Sequence, residues 1–177
     1  MTALVVATQQ SMLPAIHNMP EQFLTFSLGN ELFAIGILHI KEIIEYGSPT
    51  PVPLMPAFIH GVINLRGAVV PVIDLSVRFG RARSEIGRRT CIIILEIEQD
   101  GGSQDIGIIV DSVSAVMEIP ASDIEPAPAF GSRIKVDYIH GMGKLGERFV
   151  IMLNVGRAFS MDDMAALQHL QHEPLAG

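Results

Sequence analysis

Gly141, Gly143 and Gly146, within "HGMGKLGERFVIMLNV" (140–155), spell G-x-G-x-x-G, the spacing that cradles a dinucleotide pyrophosphate. That chemistry needs a helix directly after the glycines, because its N-terminal amides hold the phosphate. Here "ERFVIML" follows, a β-branched and aromatic run of strand character. The glycines are therefore expected to serve a hairpin, with Gly146 and Gly67 at the turns, where positive φ costs glycine little.

The six histidines offer metal or base chemistry. His169 and His172 lie three apart, but no cysteine or further histidine stands at ligand spacing. Ser76, His60 and Asp74 have the residue types of an acyl-transfer triad, yet no G-x-S-x-G elbow exposes a serine. The single cysteine, Cys91, falls in the apolar run "CIIIL" and reads as a buried, inert thiol. No catalytic residue, metal or cofactor is expected, and the chain does not read as an enzyme.

The formal net charge of −7 argues against a nucleic-acid binder, which needs a basic face. The cations are nonetheless uneven: Arg78, Arg81, Arg83, Arg88 and Arg89 are five of the twelve Lys and Arg. This segment reads as a solvated connection, with an acidic partner as the alternative. The opening "MTALVVATQQ" has no basic residue ahead of its short apolar stretch, and no apolar run approaches the length that crosses a bilayer. A cytoplasmic location without direct membrane insertion is expected.

The elements that position these residues are mostly strands. Residues 1–20 read as a flexible arm. "FLTFSL", the turn "GN" and "ELFAI" form a hairpin. In "ILHIKEIIEY" (37–46) Ile37, Ile40, Ile43 and Ile44 fall at helical spacing, which predicts a helix with an apolar stripe. "FIHGVINL" and "AVVPVIDL" make a hairpin across "RG". "CIIILEIE" and "IGIIV" make another across "QDGGSQD", and "YIHGMGKL" with "RFVIML" closes the series. "SMDDMAALQHL" (160–170) predicts a terminal helix capped by Ser160 and Asp163.

Two of these blocks repeat. At an offset of 80 residues, Ile59, His60, Gly61, Leu65, Val70 and Phe79 recur as Ile139, His140, Gly141, Leu145, Val150 and Phe159. "FAIGILHIKEII" likewise pairs with "IGIIVDSVSAVM" at an offset of 73. The chain reads as a duplication of two β lobes, at about 21–85 and 86–159, followed by a helix at about 160–171. With 49% apolar residues, the lobes are expected to share a core and to leave some apolar surface for partners.

"FLTFSLGNELFAIGILHIKEIIEY", "PAFIHGVINLRGAVVPVIDLSVRF", "IGIIVDSVSAVMEI" and "PAPAF" before "YIHGMGKLGERFVIMLNV" closely resemble the CheW family of bacterial chemotaxis coupling proteins, from about Gln22 to Leu170. The resemblance implies a mainly β fold: two five-stranded SH3-like barrels in pseudo-duplicate around a shared apolar core, with short helices and a C-terminal helix. It implies a non-catalytic adaptor, recruited to receptor arrays, that joins the cytoplasmic tip of methyl-accepting chemoreceptors to the regulatory domain of the histidine kinase CheA. The alternative is the same role in a parallel chemosensory pathway, such as type IV pilus control. Receptor-binding positions carried over are Ile37, Ile40, Glu42, Gly61, Arg66 and Val116, and the kinase-binding position is Phe130. Gly36 departs from the family, where Asp is common, and Glu125 is acidic where some relatives are basic.

Overall fold

The computed structural model describes residues 21–99, 101–127 and 134–159. The N-terminal arm, the helix expected at 160–171, the pair His169 and His172, and Phe130 lie outside the described residues.

Strands dominate, as the pattern of short apolar runs and turns requires. The first hairpin pairs β1 (Glu21–Leu28) with β2 (Glu31–Gly36) across Gly29, whose φ is +63°. The helix expected at 37–46 is not formed. Instead a single 3₁₀ turn, Ile37–His39, leads into β3 (Ile40–Glu45). A bulge in the pairing of β3 falls between Ile40 and Glu42. The bulge resets the alternation, so Ile37 and Ile40 pack on one apolar cluster and Ile44 on another. A strand broken in this way places its isoleucines at intervals that imitate a helix.

Next come the hairpin of β4 (Ile59–Leu65) and β5 (Ala68–Asp74), and the one-turn helix α1 (Leu75–Arg78). The second half opens with β6 (Cys91–Gln99) and β7 (Gly102–Val110), which run closer to their turn than "QDGGSQD" suggests. Then follow β8 (Ser112–Ile119), the two-residue β9 (Ile124–Glu125), β10 (Ile139–Leu145), β11 (Arg148–Leu153) and α2 (Val155–Ala158).

The duplication is visible in these elements: β4, β5 and α1 recur as β10, β11 and α2 at the offset of 80. The sheets, however, exchange their parts. One has the order β3-β6-β7-β5-β4 and the other β8-β1-β2-β11-β10-β9. Each combines two strands opening one half with strands from the other half, so the sheets do not coincide with the stretches 21–85 and 86–159. Both are mixed, with parallel pairs β5–β7 and β2–β11. Five strands apiece were expected; one sheet gains β9, which the other matches with a single bridge between Thr50 and Val62.

The five-stranded sheet is rolled. Its opposite edges, β3 and β4, send Ile44 and Ile63 into one cluster with Val70, Val72, Ile92, Ile94 and Ile109. Phe23, Ala34, Ile119, Val150 and Met152 form the matching cluster of the other sheet. Between the sheets lies the largest core, which includes Phe26, Phe33, Ile93, Leu95, Ile108 and Phe159. Along "CIIIL", Ile92 and Ile94 therefore fill a roll while Ile93 and Leu95 fill the shared core. Strands buried on both faces account for much of the apolar excess in the composition.

The halves meet at Arg78. Its guanidinium carbon lies 5.1 Å from the Phe58 ring centre and 4.8 Å from that of Tyr138. It also donates from Nε and a terminal nitrogen to the Ala158 carbonyl, at 3.2 and 2.9 Å. Phe58 and Tyr138 are themselves repeat mates, so one cation ties both copies of the same ring position.

Candidate functional site

An ion pair with an exposed arginine stands at the β4–β5 turn. Leu65 pairs with Ala68, leaving Arg66 and Gly67 as a two-residue turn with φ of +54° and +88°. Such turns favour Asn or Gly followed by Gly, because a side chain in the left-handed region costs about 1 kcal/mol. Arginine here is therefore a poor turn former, and its side chain is what it contributes. The Asn64 carboxamide oxygen accepts from the Gly67 N–H at 2.8 Å and steadies the turn.

The rolling of the sheet brings this turn to β3. Arg66 donates from both terminal nitrogens to Glu42, at 3.0 and 2.8 Å, in a two-pronged pair. Arg66 remains mostly exposed while Glu42 is half-buried. Hydrogen bonding to Glu42, then its negative charge, raises the Arg66 pKa, so the group stays cationic. Beside it Lys41 donates to Asp105 of β7 at 3.0 and 3.3 Å and approaches Glu96 of β6 at 3.9 Å. The Asp105 hydrogen bond and charge hold the Lys41 pKa above its ordinary value. Lys41, Glu42, Arg66, Asp105 and Leu65 line a shallow depression of about 320 Å³. The sequence singled out Glu42 and Arg66, but not Lys41, Leu65 or Asp105, which reach the depression only through pairing between distant strands.

The other expected receptor positions divide. Ile37 and Ile40 are half-buried against the shared core, while Leu38 between them stands almost fully exposed. Gly61 is buried in β4: a Cβ there would lie 2.5 Å from the Thr50 carbonyl oxygen. Val116 is 56% exposed on β8, an edge of the other sheet. Its repeat mate Ile43, on β3, is 42% exposed, so equivalent edge strands present equivalent apolar side chains. Glu42 and Arg66 are thus joined directly, whereas Val116 lies in the other sheet.

The residues with catalytic types are occupied elsewhere. His60 Nε2 shares a 2.7 Å hydrogen bond with the Tyr46 hydroxyl, which closes the roll a second time. Asp74 caps α1, accepting from the Ser76 N–H at 3.1 Å. His140 is exposed, unlike its mate His60. Of the three glycines, Gly146 has a φ of +63° at the β10–β11 turn. Gly141 and Gly143 lie within β10, where a Cβ would strike Ile124 and Val150. Cys91 is half-buried rather than fully enclosed, and burial, then the Glu45 charge, pushes its thiol pKa up. That shift disfavours the nucleophilic thiolate.

Two rolled sheets that bury their apolar residues and offer a charged hairpin tip define an interaction module. Comparison with known proteins gives this class its family. The CheW-like domain model matches residues 22–163. The chemotaxis protein CheW of Klebsiella aerogenes is 39% identical over 150 residues, covering 85% of this chain and 88% of that protein. The corresponding protein of Treponema pallidum is 32% identical over 160 residues, covering 88% and 92%. Among solved structures, the scaffolding protein TtCheW of Thermoanaerobacter tengcongensis superposes with a TM-score of 0.72 at 36% identity, covering 80% and 89% of the two chains. The chain belongs to the CheW-like family, and it is a non-catalytic chemotaxis scaffolding protein.

Proposed function

We propose that this scaffold couples the cytoplasmic tip of methyl-accepting chemoreceptors to the regulatory domain of the histidine kinase CheA. It does so in the cytoplasm, at membrane-associated arrays. The observation that carries the receptor face is Arg66, an arginine held in a left-handed turn that suits asparagine or glycine better. Its five donors suit the carboxylates and carbonyls of a helical hairpin. Glu42 holds the guanidinium in position until a receptor group competes for it. Ile37 and Ile40, which precede Glu42 in the chain, add apolar contact, Gly61 fixes the course of β4, and Val116 extends the receptor contact onto the second roll. Phe130 supplies the kinase contact as an aromatic anchor. Coupling then requires only that the receptor's signalling states contact the adaptor differently.

The turn permits a clean test. Arg66→Asn removes the side chain while suiting the turn, and the ion pair it deletes is exposed and worth little to folding. The melting temperature is expected to stay within about 2 °C of wild type or to rise. In calorimetric titrations, affinity for a soluble fragment carrying the receptor tip is expected to fall about tenfold or more, the equivalent of about 1.4 kcal/mol. Affinity for the CheA regulatory domain should not change. Receptor binding that survives Arg66→Asn removes Arg66 from the receptor face. In the same titrations Phe130→Ala is expected to show the reverse pattern, weakening the kinase domain about thirtyfold with the receptor unaffected. An unchanged kinase affinity would place that contact elsewhere.

A further inference from the structure

The arginine-rich connection between the two halves is pinned, and its five arginines fall into two groups. Arg78 and Arg81 turn inward: Arg78 lies between Phe58 and Tyr138, and Arg81 pairs with Glu31 while lying 5.9 Å from the Phe33 ring centre. Arg83, Arg88 and Arg89 are exposed, and among the described residues no carboxylate stands within ion-pair distance of any of them. Three such guanidinium groups are conspicuous on a chain with 19 Asp and Glu and a net charge of −7.

The backbone beneath them is fixed at two places. Ser84 donates from its N–H to Asp74 Oδ2 at 3.0 Å and from its hydroxyl to Asp74 Oδ1 at 2.8 Å, and Asp74 is buried. Further on, the Gly87 N–H donates to the Thr90 hydroxyl at 2.8 Å and the Thr90 N–H to the Gly87 carbonyl at 3.3 Å. Arg88 and Arg89 are therefore the two central residues of a closed turn. Thr90 is buried, and its carbonyl accepts from the Tyr46 N–H at 3.3 Å, which moors the turn to the end of β3. Between the pinned points, Ile86 is 45% exposed. A fixed backbone lowers the ordering cost of binding.

We propose that Arg83, Arg88 and Arg89, with Ile86 among them, form a docking surface for a carboxylate-rich segment of a partner protein. The span from Arg83 to Arg89 is at most about 20 Å, the reach of a short extended peptide. Each guanidinium fork fits a carboxylate with two parallel hydrogen bonds, and Ile86 offers apolar contact that a polyanion of phosphates would not use. Glu85 within the patch and the acidic chain around it disfavour nucleic acid.

The test uses the full chain, and its probe is neither proposed partner, so it stands or falls apart from the coupling role. Binding of a fluorescein-labelled glutamate-rich peptide is followed by anisotropy at low and moderate salt. Phosphatidylglycerol vesicles and a short DNA duplex serve as rival probes. Wild type is expected to bind the peptide, weakening as salt rises. Arg83→Gln/Arg88→Gln/Arg89→Gln should bind at least about tenfold more weakly with an unchanged circular dichroism spectrum. Replacing the same three residues by lysine should keep the charge but lose a few-fold in affinity, because the fork is gone. Equal peptide binding by wild type and the glutamine variant overturns the proposal. So does tighter binding to the DNA or the vesicles than to the peptide.

Discussion

Gly61→Ala is expected to lower the melting temperature by about 10 °C, and Gly141→Ala, at the matching position of the repeat, by only about 3 °C. The difference follows from what an added methyl group meets. At Gly61 it would lie 2.5 Å from the Thr50 carbonyl oxygen and 2.9 Å from the carbonyl carbon, both backbone atoms. They are held by two hydrogen bonds, from the Thr50 N–H to the Val62 carbonyl and from the Val62 N–H to the Thr50 carbonyl, each 2.8 Å. Admitting the methyl group means overpacking and breaking this bridge, together about 3 kcal/mol. At Gly141 the nearest atom is Ile124 Cγ2 at 2.6 Å, a methyl group of a half-buried residue in the two-residue β9, which can shift at less cost than the bridged backbone at Thr50. The Glu125 carbonyl oxygen there is 3.0 Å away. About 1 kcal/mol suffices, and one kcal/mol moves a domain of this size by about 3 °C. Thermal denaturation of the two variants decides the point. If Gly61→Ala melts with wild type yet loses the receptor, the glycine serves the interface and not the close crossing of the chain at Thr50.

Gly61 also shows what the sequence can carry. The recurrence of Ile59, His60 and Gly61 at Ile139, His140 and Gly141 reveals the duplication, because equivalent positions in the two halves meet equivalent constraints. Hairpins are legible for the same local reason: "GN" and the glycine of "RG" are turn signals whose neighbours pair at once. The exchange of strands between halves is not legible, since nothing local distinguishes β1 pairing with β8 from β1 pairing with β3. The charged site inherits this limit. Arg66 stands out in the sequence, yet its contact with Glu42 exists only because the sheet rolls and brings β3 against the β4–β5 turn. The expected helix at 37–46 fails for a different reason. A bulge between Ile40 and Glu42 sends Ile37 and Ile40 to one core and Ile44 to another and leaves Ile43 exposed, and a spacing rule cannot tell this from one helical face.

Asp74→Ala is expected to cost about 4 kcal/mol in urea denaturation, more than any surface substitution. The carboxylate is 2% exposed. Its Oδ1 accepts from the Ser76 N–H at 3.1 Å, the Val77 N–H at 3.5 Å and the Ser84 hydroxyl at 2.8 Å, while Oδ2 accepts from the Ser84 N–H at 3.0 Å. Truncation removes the cap of α1, worth about 1 kcal/mol, and strands the Ser84 N–H at up to about 3 kcal/mol, while the Ser84 hydroxyl keeps Ser76 Oγ at 3.2 Å. The repeat supplies the control. Asn154 holds the same position before α2 and accepts from the Arg157 N–H at 3.1 Å, so an amide suffices for the cap itself. Asp74→Asn should therefore cost only about 2 kcal/mol, because its amide donors then face the Ser84 N–H. Ser84→Ala combined with Asp74→Asn should cost less than the sum of the two, since both act on one contact. Hydrogen exchange adds a readout that a simple loss of core packing would not give: faster exchange concentrated in residues 84–90, the segment that presents Arg88 and Arg89. A loss below about 1 kcal/mol in Asp74→Ala, with exchange there unchanged, would mean that the connection holds its course without Asp74.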